Sequence, residues 1–146
     1  MTDTASTTLS PAERDRLYCD ILCRELVSAL GCTEPIAVAY ASALARETLG
    51  AEPESIELAC SGNIIKNVKS VTVPNSGGMH GLEAAAALGA VGGDASSSLE
   101  VLESVDDAAR ARTRELLENP SYVDVSLAEG VPNLFIRVVS RAGSHE

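Results

Sequence analysis

The residues Gly31-Cys32-Thr33-Glu34-Pro35 place a thiol immediately before a helix start. Unpaired backbone N–H groups and the helix dipole favour an anion at such a point, so the position predicts a depressed thiol pKa and a thiolate able to act as nucleophile or iron ligand. The same position also suits a small buried residue without chemistry. A second group, Ser61-Gly62-Asn63-Ile64-Ile65-Lys66-Asn67, puts a hydroxyl, two amides and an ammonium in one strand-to-helix turn. Nine of the eleven basic residues are arginines, and the only lysines, Lys66 and Lys69, lie here. A lysine in a partly buried turn can act as a base, or bind a substrate carboxylate while charged. Ordinary helix capping by Ser61 or Asn63 accounts for the same residues equally well.

A third group is Pro74-Asn75-Ser76-Gly77-Gly78-Met79-His80-Gly81. A glycine-rich loop entering a helix exposes several N–H groups and suits a carboxylate or phosphate. It matches neither nucleotide-binding glycine pattern, and a tight loop that permits close helix packing is the simpler reading. His80 is a candidate base at that helix start; His145 is assigned nothing. Glu129-Gly130-Val131-Pro132-Asn133 reads as a turn whose acid reaches a shared site only if the strands bring it there. Cys19 and Cys23 share a face of the first helix, but with Cys32 and Cys60 they match no zinc or ferredoxin spacing and read as core filler.

These groups need elements to hold them. Ser10-Pro11-Ala12-Glu13 is a capping box with proline in the first turn, and Leu17, Ile21, Leu22, Leu26 and Leu30 follow at helical spacing until Gly31. Thr33 caps a second helix that runs through an alanine-rich stretch to Leu49 and stops at Gly50; its small side chains let another backbone or subunit approach. Strands are expected at Ser55–Cys60 and Val71–Val73, and a short helix at Ile64–Lys69. The helix Met79–Leu88 is apolar nearly all round and should be buried. A short helix within Asp94–Glu103, another capped by Ser104 and stopped at Asn119-Pro120, and two strands, Tyr122–Leu127 and Leu134–Val139, complete the chain. The last two strands are expected to pair as a hairpin. The order argues an α+β, or mixed α/β, domain: N-terminal helices, a short mixed sheet with a buried alanine-rich helix, and a C-terminal β-hairpin.

With 146 residues and 45% hydrophobic composition, the chain can bury a core; with 3% aromatics, Ala, Val, Leu and Ile must fill it. A net charge of -10 argues against nucleic acid and anionic membranes as partners. No apolar run reaches membrane-spanning length. Residues 1–9 read as a disordered Thr/Ser-rich tail without the charge and apolar regions of a signal peptide, so a cytoplasmic setting with reduced cysteines is expected. Residues 10–140 then form one domain. Residues 141–146 end without helix, cap or closing turn, and the expectation is a truncated end: a fragment, or one half of a larger unit.

Five segments in order, Gly31–Ile36, Ser61–Asn67, Val73–Met79, Ala85–Asp94 and Ala128–Leu134, resemble the N-terminal part of the L-cysteine desulfidase family, related to the iron–sulfur L-serine dehydratase α-chain-like group. The resemblance runs from about Leu17 onward. It implies a lyase that converts L-cysteine and water to pyruvate, ammonia and hydrogen sulfide, or L-serine to pyruvate and ammonia, by α,β-elimination. It implies a [4Fe–4S] cluster held by three cysteines, with an open iron as Lewis acid. Matched residue by residue, Cys32 is the N-terminal cluster ligand. Lys66, Ser61 and Asn63 take catalytic positions, with Lys66 as base or carboxylate partner. Asn67, Ser76, Gly77, Gly78 and Glu34 fall near the substrate, and Glu34 caps and orients the Cys32 turn.

Two departures accompany it. The family's other cluster cysteines lie far downstream, in a C-terminal half, and Cys19, Cys23 and Cys60 do not occupy their positions. The loop reads Asn75-Ser76 where relatives often carry Gly-Thr. The resemblance therefore implies an inactive piece that needs the C-terminal half of the same enzyme or a partner subunit, with a homo-oligomer also open. The competing readings are a pyridoxal-phosphate lyase with Lys66 as Schiff base and Ser76–Gly78 cradling the phosphate, and a non-catalytic small-anion-binding or assembly domain.

Overall fold

The computed structural model describes residues 9–146. The tail expected at 1–9 lies, but for Leu9, outside the described residues. The chain forms α1 (Pro11–Glu25), α2 (Thr33–Leu49), β1 (Ser55–Cys60), α3 (Gly62–Val68), α4 (Gly81–Gly92), a 3-10 helix (Ala95–Glu100), α5 (Asp107–Leu117), β2 (Val123–Leu127) and β3 (Ile136–Arg141). This is an α+β fold with a small mixed sheet, as the element order implies.

α1 starts with the expected capping box: Glu13 N donates to Ser10 Oγ at 3.3 Å, and Ser10 N donates to Glu13 Oε2 at 2.9 Å. It stops at Glu25, short of the expected Leu30, because Leu26 turns extended. None of its residues is buried, and its apolar stripe of Leu17, Ile21, Leu22 and Leu26 stays exposed. α2 begins one residue as expected after Cys32, but Cys32 and not Thr33 occupies the cap position. Gly50 ends it at φ 74°.

α4 carries the centre of the core. Ala84 to Leu88 are all buried, together with Ile36, Val38 and Ala39 of α2. The small residues of α2 do admit another backbone, that of α4. A Cβ built on Gly89 would lie 2.2 Å from Ala39 O, so only glycine fits this contact.

The sheet corrects the expected C-terminal hairpin. β1 lies in the middle, parallel to β2 and antiparallel to β3. The connection between β2 and β3 arches over the end of β1 instead of turning tightly. Ala128 N donates to Cys60 O at 2.8 Å, Ser61 N to Phe135 O at 3.0 Å and Ser61 Oγ to Asn133 O at 2.6 Å. These three bonds carry the chain across β1 and set β3 down on its far side. Ile56, Leu58 and Cys60 face the helices, while Glu57 faces out.

Three further expectations shift. Val71–Val73 is not a strand: Thr72 bridges to His80 and Val73 N bonds Met79 O at 2.9 Å, which closes the glycine loop on itself before Pro74 removes the next donor. α5 is capped by Asp106, whose Oδ1 accepts from Ala109 N at 2.8 Å, and not by Ser104. The segment 141–146 does contain a closing turn, since Ala142 and His145 exchange backbone bonds of 3.1 and 3.0 Å. Among the described residues no helix is long and apolar enough to cross a membrane.

Candidate functional site

Gly31 and Cys32 are placed by two contacts from distant segments. Leu30 N donates to Leu99 O at 3.1 Å. Gly31, at φ 87°, lies so near Pro74 that a Cβ there would be 3.3 Å from Pro74 Cγ. The first motif therefore abuts the start of the third. Cys32 is exposed, and its thiol donates to Glu34 Oε2 at 3.4 Å. The other oxygen of Glu34 accepts from Asn67 Nδ2 at 3.2 Å. Cys32, Glu34 and Asn67 thus form one hydrogen-bonded chain joining the start of α2 to α3. Beside it opens a cleft of about 370 Å³ lined by Thr33, Glu34, Ala37, Leu99 and Leu134. One carboxylate faces otherwise mainly apolar walls.

The electrostatics reverse the expectation for Cys32. Its thiol is pushed up from the usual range, first by desolvation and then by the Glu34 carboxylate that accepts its hydrogen bond. Glu34 is instead the group pulled down, first by its own backbone N–H and then by Cys32. The field of the α2 N-terminus stabilises the carboxylate two residues along, and that carboxylate holds the neighbouring proton on sulfur.

The second motif divides. Ser61 is buried, and its hydroxyl ties down Asn133 O, which fastens the β2–β3 connection. Ser61 stands at the cap position of α3 without a side-chain capping bond. Asn63 and Lys66 are exposed on α3, so Lys66 is not in the partly buried turn expected of it. Asn67 is half-buried and reaches Glu34.

The third motif is a braced loop. Ser76 is 1% exposed; its hydroxyl accepts from Met79 N at 2.9 Å and donates to Met79 O at 3.2 Å. Gly77 and Gly78 are exposed at φ 69° and 91°. Asn75, at φ 53°, donates from Nδ2 to Leu102 O at 2.7 Å, and Arg110 clasps it with bonds of 2.8 Å to its carbonyl and 2.5 Å to Oδ1. Arg114 donates to Gly77 O at 3.2 Å. Sequence reasoning missed both arginines; they stand on a helix more than thirty residues away, and nothing in their spacing marks them. His80 bonds Thr72 Oγ1 at 2.9 Å.

Among the described residues no three His, Cys, Asp or Glu side chains converge as a metal group. Cys60 is fully buried and its thiol is pushed up to about 11 by desolvation; Cys19 and Cys23 are exposed on α1, not core filler. Cys32 could supply one ligand to a cluster, and the described residues do not make up a complete site.

No family model matches the chain, and no solved structure matches it. The chain is 55% identical over 123 residues to a UPF0597 protein of Finegoldia magna, covering 84% of this chain and 29% of that protein. It is 47% identical over 124 residues to a UPF0597 protein of Treponema denticola, covering 85% and 28%. Neither name states a reaction, ligand or partner. Over most of its length the chain is therefore similar to a segment of the UPF0597 proteins, and it spans less than a third of the curated relatives it matches.

Proposed function

We propose that this chain is the Cys32-bearing part of an iron–sulfur-dependent lyase acting on a small L-amino acid, L-cysteine or L-serine. The observation that carries the reading is the Cys32–Glu34–Asn67 chain. It unites two of the five resembling motifs at the rim of a cleft, and the Gly31–Pro74 contact brings a third alongside. The exposed thiol suits a ligand to iron held jointly with sulfurs from elsewhere, and relatives of which this chain matches less than a third have room to supply them.

When bound, a [4Fe–4S] cluster with an open iron supplies a Lewis acid for loss of the β-substituent. The residues of this chain do the positioning. Glu34 stays anionic and aims the Cys32 sulfur, while Asn67 fixes the other carboxylate oxygen. Lys66, next to Asn67 and exposed, suits the substrate carboxylate; Asn63 and the exposed Gly77–Gly78 backbone offer further donors. Leu99 and Leu134 wall a volume suited to a short side chain.

The test is anaerobic iron–sulfide reconstitution of the complete gene product, followed by assay of pyruvate and sulfide from L-cysteine and of pyruvate from L-serine. Turnover that Cys32→Ala abolishes together with bound iron is expected. Absence of iron, or full activity in the variant, defeats the proposal.

A further inference from the structure

The outer edge of β3 carries an unfinished ladder. Register pairs Glu57 with Val139 and Ala59 with Arg137, whereas Ile56 N is bonded across the other side of β1, to Tyr122 O at 2.8 Å. In an antiparallel pair bonding alternates residue by residue. The odd-numbered residues of β3 therefore bond β1, and the N–H and C=O groups of Val138 and Ser140 point away from the sheet. Ala142 continues that outward series and, among the described residues, exchanges both backbone bonds with His145. Gly143 and Ser144 form a two-residue loop between them. Gly143 has φ 56° at the first central position, where hairpin turns of type II′ take glycine. The chain is thus already folded back along β3, and the Glu146 carboxylate bonds Arg141 Nε at 2.8 Å.

Beneath this edge lies a groove of about 350 Å³ between α2 and β3, lined by Ala45, Thr48, Leu49, Val138 and Ser140 among others. Ser140 is 4% exposed, yet its Oγ has no hydrogen-bond partner among the described residues. An unmated buried hydroxyl is costly, and an open strand edge invites pairing.

We infer that the outer edge of β3 seats a fourth, antiparallel strand: an extended segment of the longer polypeptide seen in the relatives, with apolar or hydroxyl side chains turned into the groove under α2. Residues opposite Val138 and Ser140 would share their inward face, fill the groove and satisfy Ser140 Oγ. A second copy of the chain fits less well, because the hairpin turn already delivers His145 and Glu146 to this edge and a second strand would have to displace them.

The inference does not depend on the lyase reading, and hydrogen exchange tests it. In the 146-residue chain, Val138 and Ser140 amides should exchange nearly as fast as in an unfolded peptide, with Arg137 and Val139 protected. In the complete gene product Val138 and Ser140 should slow by about a hundredfold or more. Gly143→Val, which strains the turn, should reverse at least about tenfold of that protection and leave Arg137 and Val139 unchanged. A gene product that ends at Glu146, or a longer one with Val138 and Ser140 unprotected, overturns the inference. Protection that grows only with concentration of the 146-residue chain assigns the edge to a second copy and overturns it as well.

Discussion

Replacing Gly89 by alanine tests the seam that holds α2, and with it Cys32, against the core. The added Cβ would stand 2.2 Å from Ala39 O and 2.6 Å from Ala39 Cα, both backbone atoms that no rotamer change can move. The next turn is close but less tight: a Cβ on Gly93 would lie 3.0 Å from Ala43 Cβ. An ordinary contact requires the two helices to part by about 1 Å, a gap that forfeits roughly a quarter to a half of the dispersion attraction along the seam. Overpacking of this kind costs about 4 kcal/mol where backbone must move, and the better helix propensity of alanine returns about 1 kcal/mol. The expected net loss is about 3 kcal/mol, read as a lower urea midpoint and a melting temperature lower by about 10 °C. Gly50→Ala is the control. It keeps a left-handed φ of 74° where the added Cβ would meet no distant atom of the described residues, and should cost only about 1 kcal/mol. If Gly89→Ala unfolds within about 1 kcal/mol of the parent, α2 and α4 do not approach each other this closely.

Glu34→Gln removes the negative charge beside the Cys32 sulfur and replaces one of the two acceptor oxygens with an amide nitrogen. The thiol pKa should fall toward its ordinary value while the desolvation contribution persists, and the pH midpoint for reaction with an aromatic disulfide should move down; an unchanged or raised midpoint contradicts the assignment. Arg110→Ala deletes the bonds to Asn75 O, Asn75 Oδ1 and Val105 O; a loss of about 3 kcal/mol in urea unfolding and faster exchange at residues 75–78 are expected. Glu13, Glu34, Glu57 and Asp94 are all held below their ordinary values by hydrogen bonds, from Ser10, the Glu34 backbone, Arg141 and Ser96 respectively. A lowered folded pKa gives stability that is complete above the unfolded value and vanishes as pH falls through the folded one. Unfolding midpoints measured against pH should therefore be flat between about pH 5 and about pH 8, decline below that window as these carboxylates take up protons, and decline above it because the raised Cys60 thiol loses its proton more readily in the unfolded chain.

Local rules made much of this molecule legible. The α1 capping box, the Gly50 stop and the apolar ring of α4 each depend on neighbours within one helix, and each stands where spacing puts it. The failures are non-local. Two strands joined by a turn-like segment look like a hairpin, and the bonds that tie Cys60 and Ser61 to opposite ends of that segment separate them. Helix position alone predicts a thiolate at Cys32, but a carboxylate two residues on takes the field that would have stabilised it. Ser76 looked like a ligand-facing hydroxyl and instead closes its own loop around Met79. Arg110 and Arg114, which brace that loop, carry no sequence pattern at all.

Differential alkylation of the complete gene product reads out whether the exposed Cys32 sulfur, as proposed, binds iron together with sulfurs outside this chain. In the iron-free protein, iodoacetamide should label Cys32, Cys19 and Cys23 and spare the buried Cys60. After anaerobic loading with iron and sulfide, Cys32 should become protected while Cys19 and Cys23 react as before. Equal labelling of Cys32 in the two states, with iron bound, would exclude Cys32 as a ligand.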